Sequence, residues 1–371
     1  MLIEADLDAV RRHEIASREP ADFDAYWRAT LADVSDVPLD VRVERVESVL
    51  SVIDVFDVTF RGADGTDVRA WLRVPAGTTG ALPTVVTYVG YGGGRGKPEE
   101  SLTWAASGFA HLHMDTRGQG ASWSVGDTPD VGPGGPQIPG VMTKGIQSRD
   151  DYYYRRLFID AVRAVDAAKQ LPQVDATRIA VAGGSQGGGL ALAVAGLRDD
   201  LAAVVAFVPF LCDFGRATLI TDAYPYHEII DYLRIHRDQA ASVYEVLGNF
   251  DAVNHARRAT APAHFSVALM DATCPASTVY AAFNAYAAEK EITEWAFNGH
   301  EGGGIEDETQ AIAFLKRHLG EQRGLDTAAS RPTRPARICA GRVAARGTSR
   351  RIETTTTIGS WCPSRTSLHS L

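Results

Sequence analysis

The chain has 371 residues, enough for one large α/β domain or two ordinary ones, and its composition is that of a globular protein. Its formal net charge of −9 argues against a nucleic-acid-binding protein, and no stretch is apolar over the length that spans a bilayer. The first residues include Glu4, Asp6 and Asp8 but no apolar signal core, so we expect a cytoplasmic protein without a membrane partner.

Four cysteines are spread along the chain without a CxxC pair: Cys212, Cys274, Cys339 and Cys362. Neither a disulfide framework nor a zinc site is therefore expected. We interpret Cys212 and Cys274 as small buried residues.

The first predicted element is a helix over residues 20–31. Phe23, Trp27 and Leu31 recur every four residues there and form one apolar face. Strand-like runs follow at 41–50, 51–60 and 68–74. The turn Gly62-Ala63-Asp64-Gly65 predicts that the last two runs pair as a hairpin.

From residue 82 onward, short apolar runs alternate with helix-like stretches, which is the pattern of a mostly parallel sheet with right-handed crossovers. Residues 83–89 are nearly all apolar, as a strand buried on both faces requires. The predicted strands are 83–89, 109–114, 179–182, 203–208, 264–269 and 292–297. The predicted helices are 99–107, 152–170 and 186–197. The fold class is therefore α/β, with helices flanking a central sheet.

Two segments stand apart from this alternation. Residues 212–258 form a mostly helical insertion, placed where a cap over an active site could form. Residues 325–371 hold eight arginines against Asp326 and Glu353, carry a net charge of +6 and show no periodic apolar pattern. We therefore expect one domain over residues 1–324, followed by a disordered basic tail.

The pentapeptide Gly183-Gly184-Ser185-Gln186-Gly187 matches GxSxG, the nucleophile elbow of α/β-hydrolases. It lies between a predicted strand and a small, apolar predicted helix, where a tight turn needs glycines beside the serine. The helix N-terminus also directs N–H groups at developing negative charge. An incidental glycine-rich turn is the alternative, but this context favours the α/β-hydrolase fold with Ser185 as nucleophile.

The chain order of this fold places the acid and then the base after the serine. His300 follows the last predicted strand, and its neutral imidazole can take the serine proton. Asp271 follows the preceding strand and would hold the histidine tautomer. Asp251 is the alternative acid, but it lies in the helical insertion, where a capping role fits it better.

Two backbone N–H groups are expected to bind the oxyanion. One belongs to Gln186, directly after the nucleophile, and the other to Tyr91 in the glycine-rich loop 90–96. Phosphate binding is the alternative function of this loop, but its sequence matches neither the GxGxxG motif nor the P-loop motif.

His111, His113 and Asp115 alternate along a predicted strand and share a face, as metal ligands could. Because the strand is predicted to be central and residues 115–120 resemble a buttressing loop, we favour a structural role. No metal and no organic cofactor is expected.

Several segments together resemble carbohydrate esterase family 7, the acetyl xylan esterases and cephalosporin C deacetylases of the α/β-hydrolase superfamily. They are Arg117-Gly118-Gln119-Gly120, residues 183–188 (GGSQGG), His300-Glu301, 22–27 (DFDAYW), 143–146 (TKGI), 152–156 (YYYRR), 209–214 (PFLCDF) and 270–275 (MDATCP). The resemblance extends over residues 15–320.

This resemblance implies a triad of Ser185, Asp271 and His300, with the Tyr91 and Gln186 N–H groups as oxyanion donors. It implies release of acetate from O-acetylated sugars or from cephalosporin C through an acyl-enzyme on Ser185. It also implies a cytoplasmic homohexamer, with Arg117 and Gln119 tying loops near the site. A peptidase or another short-chain carboxylesterase of this fold is the alternative. A non-catalytic binding protein is a third hypothesis, against which the three triad residues speak.

Overall fold

A single nine-stranded sheet organises the protein in the computed structural model, which describes residues 4–17, 19–130 and 139–320. The strand order is β1-β2-β3-β5-β4-β6-β7-β8-β9. The first three strands and the β3–β5 pair are antiparallel, and all other pairs are parallel. The strands are β1 Arg42–Val46, β2 Ile53–Arg61, β3 Asp67–Pro75, β4 Leu82–Tyr88, β5 Ala110–Met114, β6 Val174–Gly184, β7 Ala203–Phe207, β8 Ala263–Ala268 and β9 Lys290–Trp295.

Helices cover both faces of this sheet. They are α1 Leu7–Arg11, α2 Phe23–Ser35, α3 Thr103–Ala106, α4 Tyr153–Ala168, α5 Gln186–Leu197, α6 Phe214–Ile220, α7 Tyr226–Ile235, α8 Ala240–Gly248, α9 Ala252–Ala256, α10 Ala276–Ala285 and α11 Ile305–Leu319. This arrangement confirms the α/β-hydrolase fold, including the N-terminal helix, the β2–β3 hairpin and the helical insertion between β7 and β8.

The apolar pattern of β4 explains its central position. All seven of its residues are buried, and it pairs with β5 on one side and β6 on the other. Because the connections run in opposite directions from this point, the carboxyl ends of β4 and β6 border a crevice, the usual ligand site of such sheets. The glycine-rich loop after β4 and the Ser185 turn after β6 therefore lie side by side.

Some element boundaries differ from those predicted. The helix expected over 99–107 is only α3, since Ser101 before it and Gly108 after it have φ angles of 53° and 98°, which a helix cannot contain. Strand β6 begins at Val174, not 179, because Val174 pairs with Leu82 across a register shift.

Helix α11 was not predicted. It buries Ala311, Phe314 and Leu315, which pack with residues of β4, β6 and β7 such as Val85 and Val205. Its first turn is acidic and its last turn is basic, and charges in these positions interact favourably with the helix dipole. This charge pattern could have predicted the helix from the sequence.

The remaining sequence predictions concern the cysteines, the basic tail and membrane-spanning segments. Cys212 and Cys274 are buried free thiols, as expected. The predicted basic tail, 325–371, lies outside the described residues. None of the helices in the described part of the chain has both the length and the apolar character needed to cross a bilayer.

Candidate active site

Ser185 lies at the turn from β6 into α5 with φ 54° and ψ −121°, a conformation that non-glycine residues rarely adopt. Its N–H donates to the Phe207 carbonyl at 2.9 Å, and its own carbonyl accepts from the Phe210 N–H at 2.9 Å. These bonds tie the turn to the end of the neighbouring strand β7. The side chain is thereby held at the crevice of the sheet.

The glycines beside Ser185 are required by close approach. A Cβ on Gly187 would lie 2.1 Å from the Tyr88 carbonyl oxygen, and one on Gly183 would lie 2.3 Å from the Gly187 carbonyl carbon. Both distances are far below van der Waals contact. The glycines of the GxSxG motif therefore allow α5 to begin directly against β4 and β6.

Asp271 and His300 complete a hydrogen-bonded chain with this serine. His300 Nδ1 lies 2.8 Å from Asp271 Oδ2, and His300 Nε2 lies 3.0 Å from Ser185 Oγ. Asp271 is 1% exposed, and its Oδ1 accepts the N–H groups of Thr273 and Cys274 at 2.7 and 2.9 Å. The arrangement can orient the imidazole with Nδ1–H towards the carboxylate and Nε2 free to accept the serine proton.

Asp251, the alternative acid, is placed elsewhere. Its carboxylate accepts the N–H groups of Asp213, Phe214 and Val253 at 3.0, 3.1 and 3.0 Å, and it caps α9. Burial and the neighbouring Asp213 raise the pKa of Asp251 to about 7. The structure therefore brings Asp271, and not Asp251, to the histidine.

The expected oxyanion loop follows β4 and borders the nucleophile. The Gly92 N–H donates to Gln119 Oε1 at 2.7 Å, and the Tyr91 carbonyl accepts from Trp123 Nε1 at 2.8 Å. A Cβ built on Gly90 would lie 3.9 Å from the Ser185 Cβ. This loop is therefore held against Ser185 from the side opposite to β7.

Gln186 is the first residue of α5, and its side chain is fully buried. The Gln186 Oε1 accepts from Gln119 Nε2 at 3.0 Å and from the Tyr154 hydroxyl at 2.9 Å, while its Nε2 donates to the Val89 carbonyl at 3.2 Å. Gln119 thus connects Gly92, the residue after Tyr91, to the side chain of Gln186. The resemblance placed Gln119 in this kind of tying role.

Comparison with known proteins identifies the family of this chain. The family model for acetyl xylan esterase (AXE1) matches residues 1–318. The chain belongs to the acetyl xylan esterase family. It is thus a carboxylic ester hydrolase.

Similar proteins come from several bacteria. An acetyl xylan esterase from Paenibacillus sp. R4 is 39% identical, with a TM-score of 0.79 over 85% of this chain and 100% of that one. Acetyl xylan esterase 1 from Thermoanaerobacterium sp. JW/SL YS485 is 32% identical, with a TM-score of 0.78 over 86% and 100% of the two chains. The acetyl esterase Axe7A of Xylanibacter ruminicola is 29% identical over 82% of this chain and 68% of that protein.

Two cavities meet at Ser185 and His300 in this family member. The first cavity, of about 400 Å³, is lined by Thr87, Trp104 and His113 among others. The second, of about 570 Å³, is lined by Tyr91, Tyr224, Pro225 and Glu228 among others. Trp123 lines both cavities. An ester bound at Ser185 would therefore have room on both sides of its carbonyl carbon.

His111 and His113 buttress the first cavity. Their ring nitrogens lie 2.7 and 2.6 Å from the Thr87 hydroxyl, and burial lowers the pKa of both, that of His113 to about 3. Both imidazoles are therefore neutral at physiological pH. Asp115 has a different structural role. Its carboxylate accepts backbone N–H groups from Arg95, Asp127 and other loop residues.

One group of three potential metal ligands occurs in the described ranges: Asp271, Cys274 and His300, whose ligand atoms lie within 4.8 Å of one another. Both nitrogens of the histidine ring and both oxygens of the carboxylate already take part in hydrogen bonds. Burial raises the pKa of the Cys274 thiol, which favours its protonated form. A metal ion here would have to displace the contacts that orient the histidine.

Three residues that shape the site were missed by sequence reasoning. Asp307, 3% exposed, accepts from the Gly303 N–H at 2.7 Å and from Trp295 Nε1 at 2.8 Å, which fixes the loop that carries His300. Trp123 and Glu228 both line the second cavity. None of the three belongs to a motif, and each contacts residues distant in sequence.

Proposed function

We propose that this esterase removes acetyl groups from O-acetylated sugars, such as acetylated xylo-oligosaccharides, and from cephalosporin C. The observation that carries the proposal is the Ser185–His300–Asp271 chain, which lies beside the Tyr91 loop in a member of the acetyl xylan esterase family. The named relatives are an acetyl esterase and two acetyl xylan esterases.

Acylation begins when His300 Nε2 takes the proton of Ser185 and the serine oxygen attacks the acetyl carbonyl carbon. The Gln186 and Tyr91 N–H groups donate to the resulting oxyanion. Asp271 stabilises the imidazolium. The bond between the acetyl carbon and the sugar oxygen then breaks, His300 gives its proton to the departing sugar oxygen, and the acetyl group remains bound to Ser185 as an ester.

Deacylation repeats these steps with water as the nucleophile. His300 takes a proton from water, whose oxygen attacks the acetyl-enzyme carbonyl. The bond to the serine oxygen breaks and Ser185 regains a proton from His300. Acetic acid leaves and ionises in solution. The short distances from His300 to Asp271 and to Ser185 support the proton transfers in this proposal.

The proposal predicts that Ser185→Ala lowers kcat by roughly 10⁴- to 10⁶-fold, because the nucleophile is lost while the fold is kept. Hydrolysis of p-nitrophenyl acetate and of an acetylated xylo-oligosaccharide checks this, with circular dichroism to verify folding. In the unsubstituted protein, a rapid burst of p-nitrophenol would report the acyl-enzyme, and labelling by a fluorophosphonate would report the nucleophilic serine. Retention of more than a tenth of the activity by a folded Ser185→Ala protein contradicts the nucleophile assignment.

Substrate class needs a separate comparison of kcat/KM. We expect kcat/KM for acetylated xylo-oligosaccharides and for cephalosporin C to be higher than kcat/KM for peptide amides and for long-chain esters. Ser242→Ala is a suitable control for Ser185→Ala, because Ser242 is exposed on α8 and its hydroxyl donates to the nearby Gln239 carbonyl. Preferential cleavage of a peptide would overturn the substrate class and leave the nucleophile assignment intact.

A further inference from the structure

The Tyr91 hydroxyl donates to Glu228 Oε1 at 2.5 Å. Glu228 is 7% exposed and lies on α7, in the insertion between β7 and β8. We propose that Glu228 is a positioning residue, which holds Tyr91 so that its backbone N–H points at the oxyanion. The inference rests on the proposed function, in which that N–H is an oxyanion donor.

The side chain of Tyr91 connects the oxyanion loop to the insertion. Gln119 binds the Gly92 N–H and Trp123 binds the Tyr91 carbonyl, so both backbone anchors come from the segment after β5. The ring itself packs edge-on to Phe210, with centroids 6.4 Å apart. The Glu228 carboxylate adds a directional bond at the far end of this ring.

The second carboxylate oxygen extends the connection. Glu228 Oε2 accepts the Met142 N–H at 3.1 Å, so one buried side chain joins the oxyanion loop, α7 and the segment that contains Met142. Burial and the Glu228 carboxylate raise the pKa of Tyr91, so its phenol stays protonated and donates. The Tyr91 hydroxyl is therefore available as a donor throughout the neutral pH range.

The physical consequence concerns kcat more than KM. An oxyanion donor acts when the carbonyl oxygen becomes charged, and loss of a whole donor costs about 10²- to 10³-fold in kcat. Loosening the residue that carries the donor should cost less, on the order of tenfold, because the N–H remains present but is less well aimed. Binding of the uncharged ester should change little.

The test uses Tyr91→Phe, which removes one oxygen and retains the ring. We expect kcat for p-nitrophenyl acetate to fall about tenfold, with KM within twofold of the original value. Glu228→Ala should lower kcat to a similar degree. The double variant should be no slower than Glu228→Ala alone, because both changes break the same bond.

Conservative rescue provides a readout that general destabilisation would not move. In Glu228→Gln, the amide nitrogen can donate to the Tyr91 hydroxyl while the amide oxygen accepts the Met142 N–H. We expect kcat within threefold of the original. If Glu228→Ala fails to fold, Tyr91→Phe and Glu228→Gln still decide the matter.

Tyr152→Phe is the matched control. Tyr152 is fully buried, and its hydroxyl donates to the Met142 carbonyl at 2.9 Å, so it bonds to the same segment through a different atom from the one that Glu228 binds. This variant should lose as much thermal stability as Tyr91→Phe while kcat is unchanged. An equal fall of kcat in both variants would show a general effect of weakening the segment, and the inference would be wrong.

Two further outcomes would overturn the inference. Unchanged kcat in Tyr91→Phe would show that the bond does not aim the N–H, and a rise in KM alone would show that Glu228 binds substrate directly. Ser185→Ala separates these results from failure of the proposed function. If Ser185→Ala is inactive while Tyr91→Phe keeps full activity, the positioning role of Glu228 is wrong and the proposed function is unaffected.

Discussion

Ser185 shows how local geometry and chemistry are linked at a single residue. Its φ of 54° places the side chain at the tip of the turn, where Oγ lies 3.0 Å from His300 Nε2. A serine in this region of backbone space is strained, and the bonds to Phe207 and Phe210 keep it there. The strained backbone therefore belongs to the residue whose side chain is proposed to react.

Replacing Asp271 and Asp251 by asparagine should separate catalysis from stability. Asp271→Asn should lower kcat by roughly 10⁴-fold, because the amide no longer favours Nδ1–H on His300. Asp251→Asn should leave kcat near its original value but destabilise the protein by about 1–3 kcal/mol, since an amide NH₂ would face a backbone donor among its three N–H partners.

Kinetics with p-nitrophenyl acetate and urea denaturation measure the two effects. Both proteins must be folded at the assay temperature for the comparison to hold. The opposite ranking of kcat would transfer the role of the acid to Asp251.

Ser185, Asp271 and His300, which form a hydrogen-bonded chain, could be proposed together from the sequence because each follows a predicted strand. Glu228 could not be found this way. It is an acidic residue on an amphipathic helix, and its importance arises only when α7 brings it to Tyr91, 137 positions earlier in the chain. Asp307 was missed for the same reason, because its partners Ser266 and Trp295 lie on other elements.

At the scale of elements, the turn from β6 into α5 depends on how closely the helix approaches β4. Helix α5 was predicted with its observed bounds, 186–197, because small residues and glycines fill both of its sides. Strand β6 was predicted too short, since its first residues are partly exposed and lack an apolar run. A strand that extends beyond the core in this way gives no periodic signal.

Gly187→Ala should disturb this junction. The new Cβ would lie 2.1 Å from the Tyr88 carbonyl oxygen, so α5 must shift, at a cost of about 1–3 kcal/mol from overpacking. We expect a lower melting temperature and reduced kcat, because Ser185 moves with the helix. Thermal unfolding and p-nitrophenyl acetate hydrolysis provide the measurements.

Gly184→Ala is the matched control for thermal stability. A Cβ at this position would meet its nearest atom at 3.9 Å, an ordinary contact. Its melting temperature should stay close to that of the original protein. Equal destabilisation by the two substitutions would show that the loss of stability in Gly187→Ala does not come from the short contact with Tyr88.

At the scale of the whole molecule, the order of strands decides where function can reside. Strand β4 pairs with β5 on one side and β6 on the other, so the loops after β4 and β6 meet at one edge. The sequence predicted the parallel strands but not their neighbours, because pairing depends on contacts between segments far apart in the chain. The meeting of the Tyr91 loop and Ser185 is a consequence of that order.

Buried neutral histidines are spread through this architecture and should make the fold sensitive to acid. His255 is fully buried among the rings of Phe23, Trp27 and Phe158, at centroid distances of 4.9, 5.3 and 5.4 Å. Burial lowers its pKa to about 3. In the unfolded chain a histidine has a pKa of about 6.5. Below that pH, His255 is therefore protonated in the unfolded chain but stays neutral in the folded chain.

The sign of the effect follows from proton uptake. Between pH 6.5 and 3 the unfolded state binds more protons at this position, so the free energy of unfolding falls as the pH falls, by up to about 1.4 kcal/mol per pH unit. His111 and His113 act in the same direction, since burial lowers their pKa values too. Asp251 opposes them, because its raised pKa of about 7 favours proton uptake by the folded state.

A single substitution isolates the contribution of His255. His255→Gln keeps a donor near the Asn249 carbonyl, which lies 3.3 Å from Nε2, but removes the titrating ring. Urea denaturation at pH 7.0, 6.0 and 5.0 should show a shallower loss of stability in this variant, by about 1 kcal/mol per pH unit at the acid end. His236→Gln, at an exposed position, should leave the slope unchanged. Equal slopes in the His255→Gln and original proteins would mean that the folded state accepts a proton at His255, for example by opening the aromatic cluster locally.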